Sequence, residues 1–246
     1  MSEPPPRPAA TSAGDSVLRK LADNSSDDSL ATRMRRKRFA LFLSLLETLE
    51  GHVEILDIGG TQQFWDLMLE GKKPDVRVTL LNVVHQPVSS AAFVSAVGDA
   101  KNLASIRDGA FDVVFSNSVI EHVGPYDDQQ RMAAEVRRAG TRYFVQTPNK
   151  RFPLEPHFLF PFFQYLPVSL RAWMLSNFDV GWYRRMPDKK AARVEVESVN
   201  LMTRSQFAAL FPDASIYEEK LFGLTKSFVA YGGWGVSRRA GEEALR

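Results

Sequence analysis

Residues 53–64 read VEILDIGGTQQF and residues 111–123 read FDVVFSNSVIEHV, and the alternation that these two stretches frame decides the fold. VEILDI (53–58) is an apolar run of strand length ended by Gly59-Gly60, and TQQFWDLMLEG (61–71) follows with helical spacing. VRVTLLNVV (76–84), FVSAVGD (93–99) and FDVVFSN (111–117) read as further strands, DDQQRMAAEVRRAG (127–140) as a helix and TRYFVQT (141–147) as a fifth strand. Strand-then-helix units joined by short connections predict a parallel sheet covered on both faces. The helix at 127–140 carries its own punctuation: Asp127 and Asp128 where the dipole favours anions, Arg137 and Arg138 where it favours cations, and Gly140 as the stop.

Working outward, SLATRMRRKRFALFLSLLETLEG (29–51) predicts an amphipathic helix. Ser29 is its N-cap, Phe39, Phe42, Leu43, Leu46 and Leu49 share one face, and Gly51 ends it. Downstream of 148 the rhythm breaks into a segment rich in proline and aromatic residues that runs to about 200. TRSQFAALFP (203–212) resumes as a helix, and SIYEEKLF (215–222) and KSFVAYG (226–232) predict a closing hairpin across Gly223, Leu224 and Thr225. The expected architecture is a doubly wound α/β fold on a mostly parallel, seven-stranded sheet, with an insertion or lid at 148–200 after strand five. One domain should span 29–235. Residues 1–28 are read as a disordered tail, with a short helix around Val17–Leu21, and 236–246 as a frayed tail.

Composition narrows the function. The 246 residues include no cysteine, which removes disulfides, thiolate nucleophiles and cysteine-ligated metal centres. With 31 basic and 29 acidic side chains the net charge is only +2, so the chain has no global electrostatic support for gripping a nucleic-acid backbone. The opening MSEPPPRPAATSAGDS lacks a basic tip followed by an apolar run, and FALFLSLLETL (39–49) and FLFPFFQYLPV (158–168) are too short to cross a bilayer. A cytoplasmic protein is expected.

In an open parallel sheet, ligands bind beyond the carboxyl ends of the strands where the order reverses. The loops there carry Asp57, Gly59 and Gly60 after strand one and Asn82 after strand two. Gly98-Asp99-Ala100 follows strand three, and Ser116, Asn117, Glu121 and His122 follow strand four. Two adjacent glycines at a helix start let backbone approach a ligand closely. Dinucleotide binding would want G-x-G-x-x-G at this point, and GGTQQF does not supply it.

Across roughly residues 51–150 the series resembles the class I S-adenosylmethionine-dependent methyltransferases, with LDIG as first motif, GDA as third and FDVVFSNSVIEHV as fourth. The resemblance implies S-adenosyl-L-methionine as cofactor. On that pattern Asp57 holds the first loop or reaches the methionine amino group, and Gly59 and Gly60 line the cofactor. Asn82 binds the ribose, Asp99 with Ala100 the adenine, and Ser116 and Asn117 face the methionine end. Thr61 and Gln63 stand where two further glycines are usual, and Asn82 stands where an acid is usual, so an amide replaces a charge.

His52, His85, His122 and His157 are scattered, with no H-x-x-x-H pair, and no metal centre is expected. His157 and His122 are the candidate catalytic residues: His157 as general base on an acceptor hydroxyl, with Glu155 two residues away, or else as a loop histidine bonded to backbone, and His122 as base or as support of its loop. Phe158, Phe160, Phe162, Phe163, Tyr165, Trp173, Phe178 and Trp182 suggest a lid over a small hydrophobic acceptor, with packing of the insertion onto the sheet as the alternative. Weak contact with a membrane surface is a third use for such rings. Arg33, Arg35, Arg36, Lys37 and Arg38 read as a solvated helix face, with an anionic membrane surface or a phosphate-bearing acceptor as the alternative. The expected activity is methyl transfer to oxygen, less readily to nitrogen or carbon, of a small hydrophobic acceptor. The rival readings are a degenerate methyltransferase-like scaffold and a membrane-surface enzyme.

Overall fold

β1 (Val53–Ile58) sits centrally because both of its faces are apolar: Ile55 packs to one side, Leu56 and Ile58 to the other. The computed structural model describes residues 29–70, 72 and 74–235, so the expectations for residues 1–28 and 236–246 lie outside the described residues. Around β1 the sheet runs in the order β3-β2-β1-β4-β5-β9-β8. Its members are β2 (Val76–Asn82), β3 (Phe93–Val97), β4 (Phe111–Asn117), β5 (Gly140–Pro148), β8 (Ser215–Leu221) and β9 (Leu224–Gly232). The first five are parallel, and β9 enters antiparallel between β5 and β8. A two-stranded ribbon of β6 (Leu154–Glu155) and β7 (Phe160–Pro161) lies in the insertion.

Two hydrophobic layers clothe the sheet. On one face α3 (Tyr126–Ala139) and α6 (Arg204–Leu210) bury Met132, Val136, Phe207 and Leu210 against Leu56, Val114, Val145 and Phe228. On the other, α1 (Leu30–Leu46) and α2 (Gln62–Met68) form an aromatic core. There the Phe42 ring lies 4.7 Å from Phe115 and 5.1 Å from Phe144, and Phe39 meets Trp65 edge-on at 5.5 Å. Such contacts add about 0.5–1.5 kcal/mol per pair beyond the area they bury.

Several local expectations are corrected. Gly140 does end α3, as its C-cap, but in an extended conformation (φ −116°, ψ 149°) that at once opens β5. Its missing side chain has a packing reason, because a Cβ there would stand 2.7 Å from Val114 Cγ2 and from the Arg142 carbonyl. The closing hairpin is tighter than expected: Leu224 and Thr225 belong to β9, and the turn is Phe222-Gly223, both with positive φ. The basic run of α1 is not a simple solvated face. Arg36 reaches Glu70 at 3.3 Å, Arg35 lies over the Phe64 ring at 5.8 Å, and Arg38 is buried.

The insertion has its own small core, with Phe158, Phe163, Leu175, Val180, Ala192 and Val196 buried between α4 (Val168–Asn177) and α5 (Lys189–Glu197). Phe158 and Phe163 therefore do the packing. Phe160, Phe162, Tyr165, Trp173 and Phe178 remain exposed. Among the described residues no helix is long and apolar enough to cross a membrane.

Candidate functional site

Strand order reverses between β1 and β4, so the crevice beyond their carboxyl ends is where this sheet can receive a ligand. The first loop there is built from beneath. Asp57, 1% exposed, accepts a 2.7 Å hydrogen bond from the Trp65 indole nitrogen. Burial pushes its carboxyl up to about 7, against the lowering effect of that hydrogen bond. Any Cβ on Gly60 would fall on the Asp57 carboxylate, so the loop tolerates no side chain at that position. Gly59 takes φ +80°, and its amide donates to the Leu81 carbonyl at 2.8 Å. Asn82 gives its side-chain amide to the Gly60 carbonyl at 2.9 Å, which ties the end of β2 to the turn. Thr61, unexpected for a glycine position, is the N-cap of α2 and accepts from the Phe64 amide.

The remaining positions lie along the same edge. Asp99 is exposed after β3, accepting from the Lys101 amide at 2.9 Å, while Ala100 is buried in the core beneath it. Ser116 is buried, its hydroxyl donating to the Ile58 carbonyl at 3.3 Å and tying the ends of β1 and β4 together. Asn117 ends β4 opposite Gln146 of β5. Asp57, Gly59, Gly60, Asn82, Asp99, Ala100, Ser116 and Asn117 thus cap four adjacent strands. Trp65, which orients Asp57, carried no sequence signal of that role; eight residues separate it from the acid, and only the return of α2 over β1 joins them.

The loop after β4 rests on the glycine turn, since a Cβ on Gly59 would lie 2.4 Å from Val119 Cγ2. The preceding residue, Ser118, has φ 58° and donates to Gln146 Oε1 at 2.7 Å. Ser118 and Gln146 border a cavity of about 410 Å³ enclosed by α1, the β8–β9 hairpin and the start of the insertion. Its wall is largely apolar, with Leu30, Met34, Leu154, Leu159, Trp182 and Phe222. Of the non-glycine residues with positive φ among those described (Ser118, Leu159, Phe162 and Phe222), all but Phe162 line it. Backbone strain of this kind gathers where a site is being shaped. Lys226 lies at its polar end, where burial depresses the ammonium against the opposing pull of Glu219. Beside it the buried Arg38–Glu219 pair (3.2 Å) also engages Ser227, whose hydroxyl donates to Glu219 at 2.7 Å.

The two candidate catalytic histidines meet each other, which their spacing in sequence did not foretell. His122, in a 3₁₀ turn (Ile120–His122), and His157, after β6, place their Nε2 atoms 3.1 Å apart. His157 Nδ1 lies 2.7 Å from Glu155 Oε1. Burial pulls His157 down, but Glu155 and Glu121 outweigh it and hold the imidazole above its ordinary value. Burial and the neighbouring His157 push His122 down to about 3. Glu121 is fully buried, its carboxyl pushed up to about 7 by desolvation. Neither imidazole lines the apolar cavity, and both ring nitrogens of His157 are turned to protein partners.

A seven-stranded sheet with one antiparallel strand, a glycine turn after β1 and an acid after β3 define a class I methyltransferase fold. Residues 56–141 match the family model of a methyltransferase domain. A carbon methyltransferase, CurJ, superposes with a TM-score of 0.52 at 13% identity, over 83% of this chain and 56% of that one. The N-methyltransferase NodS from Bradyrhizobium japonicum, solved with S-adenosyl-L-homocysteine, superposes with a TM-score of 0.50 at 11% identity, over 87% of this chain and 94% of that one. An uncharacterised protein of Mycobacterium tuberculosis is 41% identical over 58 residues, which is 24% of this chain and 20% of the relative. The chain therefore spans about a fifth of that curated relative's length.

Proposed function

We propose that this protein transfers the methyl group of S-adenosyl-L-methionine to an oxygen of a small, largely apolar acceptor. The observation that carries this reading is the contact between two loops: Val119 rests on the Gly59 turn, and its neighbour Ser118 borders the 410 Å³ cavity. A cofactor seated on the turn and an acceptor in the cavity would meet across that loop. The residues fit the cofactor: the turn is kept free of side chains by Asp57 beneath it, and the exposed Asp99 carboxylate can accept from an adenine amino group. Bound there, S-adenosyl-L-methionine would supply an electrophilic sulfonium methyl and leave as S-adenosyl-L-homocysteine, with the proton of the acceptor hydroxyl released to bulk solvent.

The chain's own contribution is placement. Asp57, Trp65 and Asn82 fix the turn; the apolar wall orients the acceptor and excludes water; the Ser118 hydroxyl and the Gln146 amide are neutral partners suited to a hydroxyl. Titration calorimetry with S-adenosyl-L-homocysteine tests the reading. Saturable binding is expected, weakened at least tenfold by Asp99→Ala; heat-silent mixing with wild-type protein would favour a scaffold that has lost turnover.

A second reading, action at a membrane surface on a lipid-soluble acceptor, draws support from Phe162, Tyr165, Trp173 and Phe178. All are more than half exposed on the insertion. Co-sedimentation with phosphatidylcholine vesicles would be lost on replacing Phe162 and Trp173 by serine if these rings seat the protein in the interface.

A further inference from the structure

The cluster at Glu121, His122 and His157 is left unused by the reading above and stands independently of it. One ligand atom from each of the three lies within 4.8 Å of the others. The His122 and His157 Nε2 atoms are 3.1 Å apart, and Glu121 Oε1 lies 4.0 Å from His157 Nε2. A tetrahedral centre with metal–nitrogen bonds of about 2.0–2.1 Å sets its ligand atoms about 3.3 Å apart, within the span these atoms already occupy.

Two further observations point to a ligand. Glu121 Oε1 is buried with no hydrogen-bond partner, although Oε2 of the same carboxylate accepts from Thr147 at 3.1 Å. An orphaned carboxylate oxygen costs folding free energy unless something cationic answers it. Glu155, moreover, accepts from His157 Nδ1 and from the Phe158 amide (2.6 Å), which makes Nδ1 the protonated nitrogen and leaves Nε2 facing the cluster as the atom free to ligate once its proton is displaced. A carboxylate behind a ligating imidazole is the usual support for such a ligand. Without a bound ion, the two facing Nε2 atoms share one proton and Glu121 Oε1 meets the His157 ring only at 4.0 Å, beyond hydrogen-bond reach; a metal ion would engage all three.

We propose that Glu121, His122 and His157 form a binding site for a divalent transition-metal ion of the zinc class. Two neutral imidazoles and one carboxylate suit zinc or cobalt rather than the oxygen-seeking magnesium or calcium. The His157 side chain is 19% exposed, so a fourth position can open to solvent. The ion would link the 3₁₀ turn after β4 to the insertion and so fix the insertion over the carboxyl edge of the sheet.

The test uses the full, untagged chain, stripped with chelator and titrated with cobalt(II), then zinc(II). One cobalt per chain is expected, with visible d–d absorption of a low-coordinate site that zinc displaces. His122→Ala and His157→Ala should abolish the band, while His52→Ala leaves it intact. Glu155→Gln, which retains an acceptor for the Phe158 amide, should weaken affinity about 10–100-fold. Where an alanine variant fails to fold, as judged by circular dichroism, Glu121→Gln replaces it; the amide keeps an acceptor for Thr147 and should lose cobalt at least tenfold. Absence of stoichiometric cobalt uptake by the wild-type chain, or uptake undiminished in the folded ligand variants, overturns the proposal. Neither result bears on cofactor binding, which calorimetry reads separately.

Discussion

Asp57 shows how much a single side chain can organise. Its carboxylate is held under Gly60 and by the Trp65 indole, and burial raises its proton affinity from an ordinary 3.8 to about 7. A carboxyl whose folded value lies above its unfolded one favours the fold most fully below the unfolded value. That contribution is lost as pH rises through the folded value. The ligand-free protein should therefore lose stability between about pH 4 and pH 7 by an amount on the order of a few kcal/mol from this group. Asp57→Asn, which still accepts from Trp65, should remove that slope and leave the variant more stable than wild type at pH 8. Melting curves at pH 5 and pH 8 check this, and parallel pH profiles for the two proteins would contradict it. The aspartate itself was legible in LDIGG, but its partner was not, because an indole in an amphipathic helix looks the same whether it packs or donates.

At the scale of elements, α1 is fastened to the far edge of the sheet by a buried ion pair. Arg38 lies 3.2 Å from Glu219 of β8, both nearly inaccessible, with Ser227 of β9 completing the set. Removing one member strands the other charge, so Arg38→Ala should cost about 3–5 kcal/mol in urea denaturation. Arg38→Met combined with Glu219→Gln should recover most of that loss, because the remaining amide still accepts from Ser227. Equal destabilisation of the single and double variants would show that packing, not charge, fixes α1. The sequence marked α1 through its N-cap and its Phe39/Phe42 face, yet its arginines read as solvated; the partner of Arg38 is 181 residues away. Gly140 teaches the same lesson in reverse. A glycine after a helix suggests a cap, which Gly140 is, but the close approach of β5 to β4 is what excludes a side chain there.

For the whole molecule, the sheet, α1, the insertion and the β8–β9 hairpin together enclose the cavity next to the glycine turn. A ligand bound only by the folded chain stabilises it by mass action, about 2.7 kcal/mol at a hundred times its Kd. S-adenosyl-L-homocysteine at that concentration should raise Tm by ~5–10 °C for a protein of this size. A melting temperature indifferent to the ligand would leave the fold standing and remove the proposed chemistry.

The sequence by itself determined the layered architecture and the sheet edge that carries the glycine turn, because alternating strand and helix periods and loop glycines are local properties that survive without a partner. Only the tertiary structure decided which side chains meet: Asp57 with Trp65, Arg38 with Glu219, and Glu121, His122 and His157 around a common point. Those pairings depend on long chain excursions closing at particular registers, and residue spacing carries no record of where such excursions end.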